Sequence, residues 1–190
     1  AEILRLWVAS TDYTGELALG KTILKGVVDM YRRIRNTLRF LLANTSDFSI
    51  EKDAVPVDRM LDIDRWALAR TAELQRRVVK QMNDYDFHSM VSELHSFASN
   101  DLGSFYLDIL KDRLYTMKAE SEARRSAQTA LWHVTATFLR LMAPVLTFTA
   151  EEAFAVFSPN KDGTIFTETL HELPEVPDAE ALLRRWDAIR

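Results

Sequence analysis

The sequence of 190 residues contains no cysteine and few residues that interrupt regular structure. The absence of cysteine excludes disulfides, thiol catalysis and thiolate metal sites, and it fits a reducing compartment. Five glycines and five prolines are few for this length, so we expect long regular elements rather than strands joined by tight turns. No apolar run approaches the roughly 18 residues that a membrane span needs, and the start AEILRLWVAS lacks the features of a signal peptide.

The residues that are present have the balance of a soluble, folded domain. Hydrophobic residues make up 47% of the chain and charged residues 27%, with a formal net charge of −4. A chain of this length is sufficient for one core, with or without a short appended segment.

Apolar residues recur at helical spacing along most of the chain, and their stripes predict an antiparallel bundle. The predicted helices are Lys21–Asn44, about Asp64–Asn83, Phe87 to Tyr115, about Glu122–Met142 and a short helix through Phe157. The apolar stripes consist of Ile23, Val27, Met30, Ile34, Leu38 and Leu41; of Ile63, Ala67, Leu74 and Val78; of Phe87, Val91, Leu94, Ala98, Leu102, Phe105 and Ile109; and of Ala127, Leu131, Val134, Phe138 and Leu141. We therefore expect an all-α fold of four or more long helices.

The segments between these stripes are expected to be irregular. TSDFSIEKDAVPVDRMLD predicts a connecting loop of about 16 residues, and Thr149 to Glu152 form a predicted capping box for the short helix. Residues 158–178 hold Gly163 and three prolines, and TIFTETL is the one strand-like stretch. The chain ends in the helical-looking ALLRRWDAIR. The bundle is thus predicted to carry a looser C-terminal tail, residues 158–190, with a short strand-like stretch and a terminal helix.

One short motif, GELALGKT at residues 15–22, matches the phosphate-binding pattern of nucleotide hydrolases letter for letter. Such a loop needs a buried strand before it, and the preceding ASTDYT is polar. Glu16 would place a carboxylate beside the phosphates, and no alternating strand–helix pattern follows. We therefore interpret the motif as a turn that leads into the first long helix, and a nucleotide hydrolase is the least favoured function.

No other residue set predicts catalysis, a cofactor site or a metal site. The four histidines, His88, His95, His133 and His171, show no metal-ligand spacing. Glu151 and Glu152 fall in a first helical turn, where carboxylates stabilise the helix end. Capping likewise explains the acidic residues at the helix junction of residues 84–86.

Positive charge is concentrated on the first long helix. Residues 21–39 hold six basic residues against the single acid Asp29. At about 100° per residue, four of the basic side chains fall within about 40° of one another, opposite the apolar stripe. These four are Lys21, Lys25, Arg32 and Arg39, with Asn36 close by and Arg35 on the flank. A solvated face usually mixes both signs, so this arrangement indicates a polyanion partner. The alternative is a helical protein-interaction scaffold whose basic face meets an acidic protein.

A smaller basic cluster spans the turn after the third helix. It consists of Lys111, Arg113, Lys118, Arg124 and Arg125, and acidic neighbours dilute it. Lys111, Arg113 and Tyr115 are weaker candidates for contact with a polyanion.

Six ordered blocks of the sequence resemble one family. They are ILRLWVASTDYTGE, YRRIRNTLRFLLAN, LDIDRWAL, FYLDILKDRLY, ARRSAQTALWHV and MAPVLTFTAEEAF. In this order and spacing they are similar to the segment after the catalytic domain of isoleucyl-tRNA synthetases. The resemblance covers about residues 2–175. Relatives specific for valine, leucine and methionine share the helical architecture, so these specificities remain alternatives.

The resemblance implies the helical anticodon-binding domain of a class I synthetase, acting in the cytoplasm as a monomer. Residues 1–20 would be a connector from a catalytic domain, 21–157 the anticodon-binding bundle, and 158–190 the tail. The implied partner is isoleucine tRNA, with its phosphates contacted by Lys25, Arg32, Arg35 and Arg39, and with Asn36, Lys111, Arg113 and Tyr115 as weaker contacts.

The sequence also departs from the family. The ATP-handling signatures HIGH and KMSKS, the editing domain and the cysteine-rich zinc module are absent. We therefore expect no catalysis and no cofactor in this segment, and ATP and magnesium, with zinc in many members, for the complete enzyme. In this chain, the aromatic residues expected in the core or at its edge, rather than stacked on bases, are Trp66, Phe105, Tyr106 and Trp132.

Overall fold

The computed structural model describes residues 1–159 and 162–190, and all regular structure in these ranges is helical. The helices are α1 (Glu2–Ser10), α2 (Lys21–Asn44), α3 (Ile50–Asp53), α4 (Asp62–Asn83), α5 (Phe87–Ser96), α6 (Leu107–Thr116), α7 (Glu122–Met142), α8 (Thr147–Phe157) and α9 (Ala179–Ile189). A π-helical segment, Phe97–Tyr106, joins α5 to α6, and 3₁₀ turns occur at Val57–Arg59 and Ile165–Thr167. The predicted all-α bundle is confirmed.

Four long elements form the bundle: α2, α4, α7 and the continuous segment from α5 to α6. α2 and the α5–α6 segment run in one direction, and α4 and α7 run in the other. Gln128 at the start of α7 donates to the carbonyl of Asn44 at the end of α2 (2.9 Å), so these helices are antiparallel. Asp64, near the start of α4, accepts from Ser126, near the start of α7, and from Arg113, near the end of α6. The starts of α4 and α7 therefore meet the ends of α2 and α6 at one end of the bundle.

Most residues of the predicted apolar stripes lie in the core. Those of α2, α4 and α7 are mostly buried, with Leu41, Val78 and Phe138 at 0% exposure, although Ile23 at the start of α2 is exposed and Met30 is partly buried. Trp66 and Tyr106 are also fully buried, and Phe105 packs edge-on against Trp66 with ring centroids 4.9 Å apart.

The third stripe deviates from prediction because of the π segment. It was expected to continue as one regular helix from Phe87 to Tyr115, with Ile109 facing inward. The wider π turn rotates the following residues relative to an α-helix. Ile109 is consequently 46% exposed, and Leu110 and Leu114 face the core. Composition carried no signal for this change of register.

Residues 1–20 contain a helix that the sequence analysis did not assign. α1 packs on α2 and α5. Its Glu2 carboxylate accepts hydrogen bonds from the backbone N–H and the hydroxyl of Thr149, in the first turn of α8. Arg5 donates to the carbonyls of Pro144 (2.8 Å) and Val145 (3.0 Å). The predicted capping box at Thr149 is therefore wrong, because α8 begins two residues earlier and a side chain from α1 caps it.

Two further expectations for the irregular segments are corrected. The predicted loop after α2 contains α3 and a 3₁₀ turn, and α4 starts at Asp62 rather than Asp64. TIFTETL forms a 3₁₀ turn, and no strand occurs in the described residues. Side-chain hydrogen bonds to Glu151 favour the turn: the Thr164 hydroxyl and the Ile165 N–H both donate to its carboxylate, at 2.8 and 2.9 Å.

The tail has little regular structure before α9, yet it is anchored on the bundle. Ile165, Val176 and Leu182 are buried, and α9 packs along α4. Arg140 of α7 holds the tail through the Glu168 carboxylate (2.7 Å) and the Thr169 carbonyl (2.9 Å).

Candidate nucleic-acid interface

The basic face of α2 is exposed along its length. We define this face by Lys25, Arg32, Arg35, Asn36 and Arg39, all of which are exposed to solvent. The apolar stripe on the opposite side of the helix packs into the bundle, so burial of that stripe fixes the direction in which these side chains point. The face predicted from spacing is confirmed as a surface.

The charges of this face are largely uncompensated. Arg32 has one acidic neighbour, Asp29, at 3.5 Å, and both side chains are mostly exposed. Among the described residues, no acidic side chain lies within ion-pair distance of Lys25, Arg35 or Arg39. Exposed ion pairs of the Arg32 kind are weak, worth about 0–1 kcal/mol, so Arg32 remains available to another anion.

Arg33, which the spacing argument left outside the face, extends the positive potential towards α5. It is exposed, and its charge adds to the effect of burial in lowering the pKa of His95 below the ordinary value. Helical spacing does not place Arg33 on the basic face, because at 100° per residue its side chain lies to one side of that face.

The second basic cluster is different, because most of its arginines are internal. Arg113 is 11% exposed and donates to the fully buried Asp64 (2.6 Å) and to the carbonyl of Ala123 (3.3 Å). Burial raises the pKa of Asp64, although Arg113 opposes that shift. A guanidinium that is already bound in this way is a poor contact for a phosphate.

Arg124 and Arg125 are also occupied. Arg124 binds both carboxylate oxygens of Asp47, at 2.7 and 3.2 Å, as well as the carbonyls of Leu114 and Ala119. Arg125 donates to the Asp47 carbonyl and to Gln128. The hydrogen bond from Arg124 is the main cause that lowers the pKa of Asp47.

Three other side chains at this end of the bundle are exposed: Lys111 and Tyr115 in α6, and Lys118 just after it. Lys111 pairs with Asp108 at 2.7 Å, one turn away on the same helix, and the Tyr115 ring is 65% exposed. They lie at the end of the bundle where α2 also ends. The sequence predicted Lys111 and Tyr115 as weaker candidates together with Arg113, and it could not separate the exposed side chains from the internal arginines.

The GELALGKT segment does not have the structure of a phosphate-binding loop. The element before it is the helix α1, and residues 11–20 have no regular structure. Gly20 is the N-cap residue of α2 with an extended backbone. A helix start without the preceding buried strand does not aim a nest of N–H groups at a triphosphate.

The described residues offer no metal site and no membrane span. No group of three or more His, Asp or Glu side chains in them could hold a metal ion. His133 and His171 meet at 2.8 Å between Nδ1 and Nε2, and burial lowers the pKa of both to about 4. None of the described helices is long and apolar enough to cross a membrane.

Comparison with known proteins identifies the class. The family model described as the anticodon-binding domain of tRNA ligase matches residues 64–190. The chain belongs to this family of anticodon-binding domains. The matched range begins in α4, so α1 and α2 lie before it.

Relatives that cover the whole chain carry one particular name. Isoleucine–tRNA ligases of Azoarcus sp. (strain BH72) and Paraburkholderia phymatum are 59% and 60% identical to it over 190 residues. The isoleucine–tRNA ligase of Janthinobacterium sp. (strain Marseille) is 60% identical over 193 residues. In each case the match covers 100% of this chain and 20% of the relative, so the chain spans a fifth of their length. The family resemblance predicted from the six blocks is confirmed.

Proposed function

We propose that this chain binds the anticodon stem and loop of an isoleucine tRNA in the cytoplasm, as a monomer. In doing so it would hold the tRNA for ATP-dependent aminoacylation by a catalytic domain outside the chain. The name and high identity of the relatives support the isoleucine assignment over the valine, leucine and methionine alternatives.

The observation that carries the proposal is the exposed, one-signed basic face of α2 on an acidic protein. Arginine and lysine side chains at successive turns reach successive phosphates of a nucleic-acid backbone. Lys111 and Tyr115 would add contacts at the end of the bundle. Arg113 has no part in this surface, since its guanidinium is bound to Asp64.

A gel-shift titration of isoleucine tRNA and a non-cognate tRNA, at two salt concentrations, tests the proposal. We expect binding that weakens steeply with salt and favours isoleucine tRNA. Equal affinity for both tRNAs would remove the isoleucine assignment, and no binding to either would remove the RNA-binding function.

An apolar groove supports a second contact, with protein rather than RNA. The groove, of about 860 Å³, lies beside α1 and is lined by Leu4, Val8, Tyr13, Phe87 and Val145 among others. Leu4 and Val8 are more than half exposed. Because the relatives are about five times longer than this chain, the remainder of such a protein is the proposed occupant. The double substitution Leu4→Ser with Val8→Ser tests this contact. It should leave tRNA binding by this chain unchanged and should lower the stability of a full-length ligase. An unchanged stability of the full-length ligase would contradict the contact.

A further inference from the structure

The first two turns of α7 bind the end of α2, the start of α4 and the end of α6, which meet at one end of the bundle. We call residues Ala123–Gln128 the α7 hub. Gln128, at 0% exposure, donates to the Asn44 carbonyl and to Asp47 just after α2. Ser126 donates to Asp64 in α4 (2.6 Å) and accepts from the Leu61 N–H (3.0 Å).

The hub holds the end of α6 through two arginines. Arg124 donates to the Leu114 carbonyl of α6 (3.2 Å) and, with the same guanidinium, to Asp47 after α2. Arg113 of α6 reaches back to the Ala123 carbonyl and to Asp64. One side chain, Arg124, thus connects the element that carries the basic face to the element that carries Lys111 and Tyr115.

Fold stability alone is a poor explanation for the buried pair of Arg113 and Asp64, whose side chains are 11% and 0% exposed. Removing a carboxylate and a guanidinium from water costs energy that their attraction only partly returns, and well-packed apolar groups often stabilise a fold as much or more. The raised pKa of Asp64 agrees with a net cost of burial for its charge. What directional, multiply bonded groups supply is a fixed geometry, because planar guanidinium and carboxylate groups bind in few orientations.

We propose that the α7 hub is a positioning device for RNA binding, with Arg124 as its central positioning residue. It fixes the basic face of α2 relative to Lys111 and Tyr115 of α6, so that both surfaces meet the same RNA backbone. This inference rests on the proposed function of the chain. None of the hub residues needs to touch the RNA.

The chain offers a matched control for Arg124 on the same helix. Arg140, near the other end of α7, is 13% exposed against 12% for Arg124. It likewise binds one carboxylate, Glu168, and two backbone carbonyls, those of Ala136 and Thr169. Its contacts hold the tail and do not join α2 to α6. Replacing either arginine by lysine keeps the charge and loses the branched geometry.

The test compares Arg124→Lys with Arg140→Lys for tRNA affinity, salt dependence and unfolding. Both variants should unfold at slightly lower denaturant concentration. Only Arg124→Lys should bind isoleucine tRNA more weakly, by about five- to tenfold, which corresponds to about 1–1.4 kcal/mol. The slope of log K against log salt should stay unchanged in both, because neither variant changes the number of phosphates neutralised.

Amide hydrogen exchange supplies a second readout that is independent of RNA. In Arg124→Lys, residues 107–121 and 40–47 should exchange faster together, whereas Arg140→Lys should affect residues 164–172. Equal tRNA affinity of the two variants would overturn the inference while leaving tRNA binding intact. A wild-type chain that binds no tRNA would instead overturn the proposed function. If Arg124→Lys does not fold, Asp47→Asn, which weakens the same link at a side chain that is 42% exposed, replaces it.

Discussion

Two groups of arginines look alike in the sequence and do opposite things in the structure. Arg32, Arg35 and Arg39 of α2 point into solvent, and the latter two have no acidic partner among the described residues. Arg113 and Arg124 are 11% and 12% exposed and bound to carboxylates and carbonyls. Density of positive charge is therefore insufficient to identify a nucleic-acid surface. What distinguishes the α2 group is that its side chains are exposed and that Asp29, beside Arg32, is their one acidic partner among the described residues.

The difference predicts that measurements of fold stability separate the two groups. Loss of an α2 arginine should weaken RNA binding and leave the fold intact. Loss of an internal arginine should destabilise the fold first.

The largest effect on stability is expected from Arg113→Ala. It leaves the Asp64 carboxylate buried without its charged partner, which costs about 3–5 kcal/mol in comparable cases. Arg35→Ala should change the free energy of unfolding by less than about 0.5 kcal/mol, as exposed substitutions usually do. Urea unfolding at pH 7 measures both. Similar losses in the two variants would show that the contrast between the groups is wrong.

An intermediate effect is expected from Tyr106→Phe. The hydroxyl of Tyr106 donates to Asp64 at 2.7 Å in a fully buried position, and hydrogen bonds to charged groups contribute about 1.5–3 kcal/mol. Tyr31→Phe removes a partly buried bond to the Thr149 hydroxyl, a neutral pair worth about 0.5–1.5 kcal/mol. Thermal unfolding should show Tyr106→Phe to be less stable than Tyr31→Phe. The reverse order would contradict the contribution of the hydrogen bond between Tyr106 and the buried Asp64.

A smaller, pH-dependent effect is expected from Asp47. Its pKa is lowered in the folded state, chiefly by the hydrogen bond from Arg124. A carboxylate with a depressed folded pKa contributes stability above its unfolded pKa, near 3.8, and loses that contribution as pH falls through the folded value. Asp47→Asn should therefore have a smaller free energy of unfolding than the wild type at pH 6. Between pH 5 and pH 2.5 its free energy of unfolding should fall by less than that of the wild type. Asp112→Asn, on the exposed side of α6, is the control, and an acid loss in Asp47→Asn as steep as in the wild type would contradict the role of Asp47.

No effect is expected from Lys21→Ala in nucleotide assays. The GELALGKT segment follows a helix rather than a strand, so neither the wild type nor the variant should bind ATP. Calorimetry with magnesium ATP is the measurement. Binding at millimolar affinity or better that disappears in Lys21→Ala would revive the nucleotide-hydrolase hypothesis.

The sequence predicted the long helices well because their apolar stripes are strong and regular. The stripe of α7 is fully buried, as its spacing requires. The features that were wrong depend on contacts between distant segments. Glu2 caps α8 across 147 residues of chain, and the π segment rotates Ile109 outward. Local spacing contains neither signal.

The candidate site was predictable to the same extent. The basic face of α2 follows from the position of the apolar stripe on the same helix. The burial of Arg113 and Arg124 does not follow from local spacing, because it depends on their contacts with Asp64 and Asp47. These partners lie 49 and 77 residues away along the chain. Composition placed these arginines in a basic cluster, and only packing shows that they are internal.

The salt dependence of tRNA binding by Arg32→Gln with Arg39→Gln tests the central claim most directly. The two positions lie about two helical turns, or roughly 10.5 Å, apart and can reach different phosphates. The slope of log K against log salt should fall by about 1.5, with cognate and non-cognate tRNA weakened about equally, because each phosphate contributes about 0.7–0.9. Glutamine is a good helix former, so the fold should survive. A folded double variant with an unchanged slope would show that the basic face of α2 is a solvated surface and does not bind the tRNA backbone.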